Sequence, residues 1–110
     1  MICYYMKLIT KSIMSALIAN RGKENQKPVV KFFNPCGSGT WLISEIEEDG
    51  DTLFGLCDLG MGCPELGTVS LSELESIKLR FGLGIERDLH WSGDKTLLEY
   101  LEKMQQGMYV

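Results

Sequence analysis

The dipeptide Asp49-Gly50 constrains what this chain can fold into more than any other feature. It stands between Thr40 to Glu47 and Thr52 to Cys57, two runs rich in β-branched and apolar residues, and Asp-Gly in that setting is the strongest short-range hairpin signal. The expected turn is type I′, which needs positive φ at both central positions. Antiparallel pairing then places Trp41 and Ile43 on one face of the first strand and Leu42 and Ile46 on the other. Phe54 and Leu56 are the expected core positions of the returning strand, where Gly55 marks a bulge or a close backbone approach.

The rest of the chain builds outward from that hairpin. Thr10 can cap a helix in which Ile13, Met14, Leu17 and Ile18 form one apolar stripe, with Gly22 free to end it. Lys23 to Pro28 is a polar connector, and Val29 to Phe33 is a compact strand stopped by Asn34-Pro35. After the hairpin, Leu59 to Pro64 reads as a glycine-rich loop. Thr68, Val69 and Leu71 suit a strand, and Ser70-x-x-Glu73 then has the form of a capping box, in which the Ser70 hydroxyl accepts from the Glu73 N–H while the Glu73 carboxylate accepts from the Ser70 N–H. Leu71, Leu74 and Ile77 give that short helix one apolar face. Ile85 to Trp91 alternates, with Ile85, Arg87, Leu89 and Trp91 on one side and Glu86, Asp88 and His90 on the other. A last helix starts at Ser92-Gly93-Asp94, carries Leu97, Tyr100, Leu101 and Met104 at helical spacing, sets Glu99 to pair with Lys103, and ends by Gly107.

This order predicts an α+β domain. Its expected form is an antiparallel β-meander of about five strands, with the option of curling into a half-barrel, an N-terminal helix, a short capped helix near 71–78 and a C-terminal helix, with helices covering one side or one end. Residues 1–110 read as a single domain. Met6-Lys7-Leu8-Ile9-Thr10 reads as a natural start, which makes 1–5 an extension.

Charge is distributed unevenly. Up to Phe33 there are six basic residues (Lys7, Lys11, Arg21, Lys23, Lys27, Lys31) against one acid, whereas Asn34 to Ile77 holds nine acids and no base. That acidic segment would attract a basic surface and repel nucleic acid. Four cysteines at irregular spacing do not make a disulfide framework, the N-terminal apolar run has helical spacing and no Ala-x-Ala exit, and nothing approaches the ~20 apolar residues of a membrane span. A reducing cytoplasm is therefore the expected setting.

Chemistry is sparsely marked. Glu86, Asp88 and His90 at i, i+2 and i+4 could converge on a metal ion, although side chains two apart on a strand lie ~7 Å from one another and a fourth ligand would be needed. Cys57 and Cys63, with Cys36 in the hairpin region, fit no usual zinc spacing and read as small, half-buried, reduced residues. Gly37-Ser38-Gly39 has no Gly-Lys-Ser/Thr after it and is not a phosphate loop. Arg87, a charge on an otherwise apolar face, is expected to be structural, paired with a buried carboxylate or backbone carbonyls. Ser70 and Glu73 complete the structural set.

Taken together, Lys31-Phe32-Phe33-x-Pro35, Gly39-Thr40-Trp41, Leu53-Phe54-Gly55, Glu65-Leu66-Gly67-x-x-Ser70-Leu71-x-Glu73-Leu74-Glu75 and Gly82-Leu83-Gly84-Ile85-Glu86-Arg87-Asp88-Leu89 resemble a family of short bacterial proteins of unknown function found on plasmids, phages and conjugative elements. The resemblance spans about Met6 to Trp91. It brings no active site. In that family the position of His90 is usually aromatic and the positions of Cys36, Cys57 and Cys63 are not cysteines, which weighs against both metal readings. It implies a mobile-element setting, where small acidic proteins block host defence.

The expected function is accordingly a small acidic, non-enzymatic interaction protein of a mobile genetic element, inhibiting a host defence system of the CRISPR or restriction kind. Its expected partner is a basic host protein, such as a nucleic-acid-binding defence component, met by the acidic surface of Glu45, Glu47, Glu48, Asp49, Asp51 and Asp58. No cofactor, metal or membrane is expected to take part, and self-association stays open. The alternatives are a metal-dependent enzyme or metal-binding protein centred on Glu86, Asp88 and His90, and a nucleic-acid-binding accessory protein using the six N-terminal bases, a reading disfavoured because no aromatic residues interleave with them.

Overall fold

The structure is a computed structural model that describes residues 7–108 and 110; the expected extension at 1–5 lies outside the described residues. Its elements run α1 (Lys11–Ala19), β1 (Val30–Phe33), β2 (Thr40–Ile46), β3 (Thr52–Asp58), β4 (Glu65–Ser70), α2 (Leu71–Ser76), a single 3-10 turn (Arg80–Gly82), β5 (Glu86–Arg87) and α3 (Leu97–Gln105). The five strands form one open antiparallel sheet in the order β4-β3-β2-β1-β5. The first four strands make the expected meander, while β5 crosses to the far side of β1, pairing Arg87 with Phe32 and Glu86 with Phe33. The sheet does not close.

Thr10 caps α1, its hydroxyl accepting from the Ile13 N–H at 3.2 Å, and Gly22 at φ 77° lets the chain leave the helix. The β2–β3 turn differs from the type I′ expectation. Gly50 N–H donates to Glu47 O at 3.0 Å, and of the described non-glycine residues only Asn25 and Phe81 have positive φ, so Glu48 and Asp49 form an ordinary turn and Gly50 alone, at φ 72°, is left-handed. Asp49 favours this geometry by accepting the N–H groups of Asp51 and Thr52 at 2.9 and 2.8 Å.

A bulge in β2 corrects a second expectation. Ile43 pairs with Gly55 and Glu45 with Phe54, leaving Ser44 as the extra residue. The slip turns Ile46 to the face of Trp41 and Ile43 rather than that of Leu42. Gly55 serves both purposes foreseen for it, because a Cβ there would stand 2.0 Å from Leu42 O and 2.9 Å from Ile43 Cα.

Both faces of the sheet are covered, not one. On the first, Val30, Phe32, Trp41, Ile43, Ile46, Leu53 and Ile85 pack with Leu8, Ile9, Leu17 of α1 and Leu74 of α2. On the second, Leu42 and Leu56, flanked by Phe54 and Leu66, pack with Leu97, Tyr100 and Met104 of α3. Leu53 is fully buried on the first face, and Phe54 is only half-buried on the second.

The junction of these layers is polar. Gln26, in the connector, donates to Asn20 O at 2.8 Å and to Glu45 Oε1 at 2.7 Å, and accepts the Ser44 hydroxyl at 2.6 Å. Its own carbonyl accepts from Leu97 N–H, the first residue of α3. Asn20 Nδ2 donates to Ser44 O at 2.8 Å. Ser44 is wholly buried, and this network satisfies it where the bulge interrupts the ladder.

Candidate interaction surface

The acidic residues singled out in the sequence fall into three places. Glu47 and Glu48 are exposed at the β2–β3 tip beside Asp49 and Asp51. Glu45 lies on β2 at the bulge, held by Gln26. Asp58 is at the other end of β3, about 20 Å from the tip at ~3.3 Å per residue, and its carboxylate accepts from Gly60 N–H in a local turn. Only Glu47, Glu48, Asp49 and Asp51 form one group.

Within that group the roles divide. Asp49 accepts from the Thr52 hydroxyl at 2.5 Å as well as from two backbone N–H groups, and these bonds, the hydroxyl first, hold its carboxyl below the ordinary value. Asp51 accepts from the Ser70 hydroxyl at 2.6 Å and from the Ser72 N–H at 2.8 Å, and the Ser70 bond is the main cause of its lowered pKa. Both carboxylates therefore stay ionised while fixing the turn and the start of α2. Glu47 and Glu48 have no side-chain bond among the described residues. Arg21 lies across the base of the tip, donating to Ile46 O at 2.6 Å and Glu47 O at 2.8 Å.

The capping box expected at Ser70 and Glu73 forms by half. Ser70 Oγ accepts from Glu73 N–H at 3.3 Å, but the carboxylate that binds Ser70 is that of Asp51, and it binds the hydroxyl. The complete box is at α3: Thr96 Oγ1 accepts from Glu99 N–H at 3.2 Å and Glu99 Oε1 accepts from Thr96 N–H at 3.0 Å. The same Ser/Thr-x-x-Glu spacing marks it in the sequence, beyond the start expected at Ser92-Gly93-Asp94, and it turns Glu99 away from the expected pairing with Lys103 to its own helix start.

The strand expected over Ile85 to Trp91 stops at Arg87. Asp88 Oδ1 accepts from His90 N–H at 3.0 Å, turning the chain, so Glu86, Asp88 and His90 do not share a strand face; Leu89 and His90 are exposed. Among the described residues no group of three or more His, Cys, Asp and Glu could hold a metal ion. Cys57 and Cys63 line one hollow, with burial and then the neighbouring Glu65 raising the Cys57 thiol pKa, and Cys36 is exposed in the β1–β2 loop. Arg87 is half-buried and donates to the carbonyls of Lys7 and Leu8 at 2.6 and 3.3 Å, the backbone option foreseen for it.

The six N-terminal bases form no stripe. Lys7 and Lys11 border a groove beside α1 and α2, Lys31 is on the opposite face with its Nζ donating to Val110 O at 2.8 Å, and Arg21 is engaged at the tip. No helix among the described residues is long and apolar enough to cross a membrane.

Residues 8–109 match the model of a protein family of unknown function, DUF2958, and the chain belongs to that family. No curated protein and no solved structure matches it.

Proposed function

Starting from membership of a family of unknown function, we propose that this chain is a small acidic interaction protein of a mobile genetic element, and that it blocks a host defence component by docking on that component's basic, nucleic-acid-binding surface. The observation that carries the reading is the β2–β3 tip. Glu47 and Glu48 project there beside two carboxylates kept ionised by their own hydrogen bonds, within a segment from Asn34 to Ile77 that contains no base. A fixed negative field on a rigid hairpin steers and orients a positively charged partner. The mobile-element setting rests on the resemblance in the sequence motifs.

Capture from lysate of a bacterium that carries such elements tests it. The expected catch is a basic nuclease or other defence subunit, released steeply as salt rises through the physiological range, because surface charges beyond about 8 Å are screened there. The double variant Glu47→Lys, Glu48→Lys should abolish capture while leaving the urea midpoint unchanged. Asp49 and Asp51 are left intact because they hold the turn and α2. A complex indifferent to salt and to this double reversal would sink the proposal.

A further inference from the structure

β4 is an edge strand whose outer side is bare, and the two faces beside it are hollow. In the β3–β4 ladder Leu53, Gly55 and Cys57 stand opposite Val69, Gly67 and Glu65, and Leu71 N–H donates to Asp51 O just beyond. Antiparallel alternation then turns the main-chain groups of Leu66 and Thr68 outward, away from β3. No hydrogen bond engages them among the described residues. β4 has no proline, lysine or bulge of the kind that blunts an edge, whereas β5 at the opposite edge is only two residues long.

Two hollows flank this edge from opposite faces of the sheet. Leu59, Met61 and Cys63 wall the first over Cys57, at about 240 Å³, and Phe54, Leu66, Leu97 and Leu98 wall the second, at about 220 Å³. Each exceeds the ~150 Å³ that accepts a benzene ring. Met61 is 76% exposed and Leu98 57%. Successive side chains of a strand point to opposite faces, so a strand added beside β4 would set alternate side chains into the two hollows.

We infer that β4 receives an extended, lysine- or arginine-bearing segment of the partner protein by strand addition. The occupant's charge follows from its surroundings. Glu65 lies on the strand, the acidic tip adjoins its far end through the Thr52–Ser70 pair, and Lys23 is, among the described residues, the one base lining either hollow. A second copy would bring Glu65 and its own acidic tip against these same charges. The inference rests on the acidic-interaction reading for the sign of the partner's charge, and on the ladder and hollows for the place.

The test uses a labelled heptapeptide alternating valine or threonine with lysine, and its glutamate-for-lysine counterpart. The lysine peptide should bind at low salt, slow hydrogen exchange at the Leu66 and Thr68 amides, and bind at least about tenfold better than the glutamate peptide. Thr68→Pro removes an outward N–H that the ladder does not use and should weaken binding by about tenfold, the worth of a lost backbone bond. Should Thr68→Pro fail to fold, protection of the two amides in the unaltered chain decides alone. Lysine-peptide binding that leaves those amides unprotected, but is lost with Glu47→Lys, Glu48→Lys, would overturn strand addition while the proposed function stands. Failure of the lysine peptide to bind, or equal binding of both, overturns the inference. Concentration-dependent dimers that protect the same amides overturn the choice of occupant.

Discussion

Removing the Gln26 side chain would undo the meeting point of three elements. It holds the buried Ser44 hydroxyl, the Glu45 carboxylate and the carbonyl that ends α1. Gln26→Ala leaves the buried Ser44 hydroxyl with only a 3.5 Å contact to Phe54 O, while the Asn20 carbonyl keeps the Lys23 N–H, and the expected cost is about 1–3 kcal/mol in urea unfolding. Ser44→Ala should cost less in the Gln26→Ala background than alone, because the two act through one bond. A Gln26→Ala protein within about 0.5 kcal/mol of the parent would show that water replaces the network freely. This residue was not legible from sequence. Between Lys23 and Pro28 nothing separates a glutamine that faces solvent from one that completes a bulge eighteen positions downstream.

At the scale of the element, α2 is the telling case. Six residues are too few to hold a helix on propensity, so its start must be secured from outside. Asp51 does this across the hairpin, through Ser70 and Ser72. Ser70→Ala should therefore cost about 0.5–2 kcal/mol, while Glu73→Ala should be close to neutral because only its backbone N–H takes part. Double-mutant cycles should find coupling between Ser70 and Asp51 and little between Ser70 and Glu73. Strong Ser70–Glu73 coupling would restore the reciprocal box. The motif named the cap correctly and its partner wrongly, since local spacing cannot see a competing carboxylate brought in by the fold. At Thr96 and Glu99 no such competitor intervenes, and the same motif closes in full.

For the whole molecule, alternation in sequence made the meander and its hairpin legible, along with the caps at Thr10 and Gly22. It did not reveal that the sheet is covered twice. Leu53 and Leu56 are both wholly buried on opposite faces, and a half-buried strand and a doubly covered one look alike when only one face is assumed to pack. Nor could it foresee the bulge at Ser44, which moves Ile46 across the sheet. The acidic group was legible as composition, but its division into a tip, a bulge residue and a distant turn was not.

Acid should lower the stability of this molecule in a definite window. Asp49, Asp51 and Asp94 are held below their ordinary 3.8 by side-chain hydrogen bonds, led by Thr52, Ser70 and Tyr100 respectively, and Glu99 below its ordinary 4.5, led by the Thr96 N–H. Lowered folded-state values mean that the unfolded chain binds more protons, so their contribution is complete above the ordinary values and lost as pH falls through the folded ones. The urea midpoint should be flat from neutrality down to about pH 5 and fall below about pH 4. Asp51→Asn should start lower and fall less over the same interval. An identical slope in the variant would remove Asp51 from the account.

The reach of β5 across to β1 has a kinetic consequence. Every other strand pair joins neighbours in the chain, whereas Phe32 and Arg87 close a loop of 55 positions, and only two residues of ladder reward that closure. Short, late-closing ladders are the first to open in the native state. Because the Arg87 guanidinium also grips the Lys7 and Leu8 carbonyls, one opening event would release an edge strand and the segment leading into α1 together. Arg87→Met, expected to cost about 1.5–3 kcal/mol for a charged hydrogen bond, should therefore make trypsin cut at Lys7 and Lys11 sooner while Arg21 and Lys31 stay protected. Uniform acceleration at all four sites would mean instead that the molecule opens as a single cooperative unit.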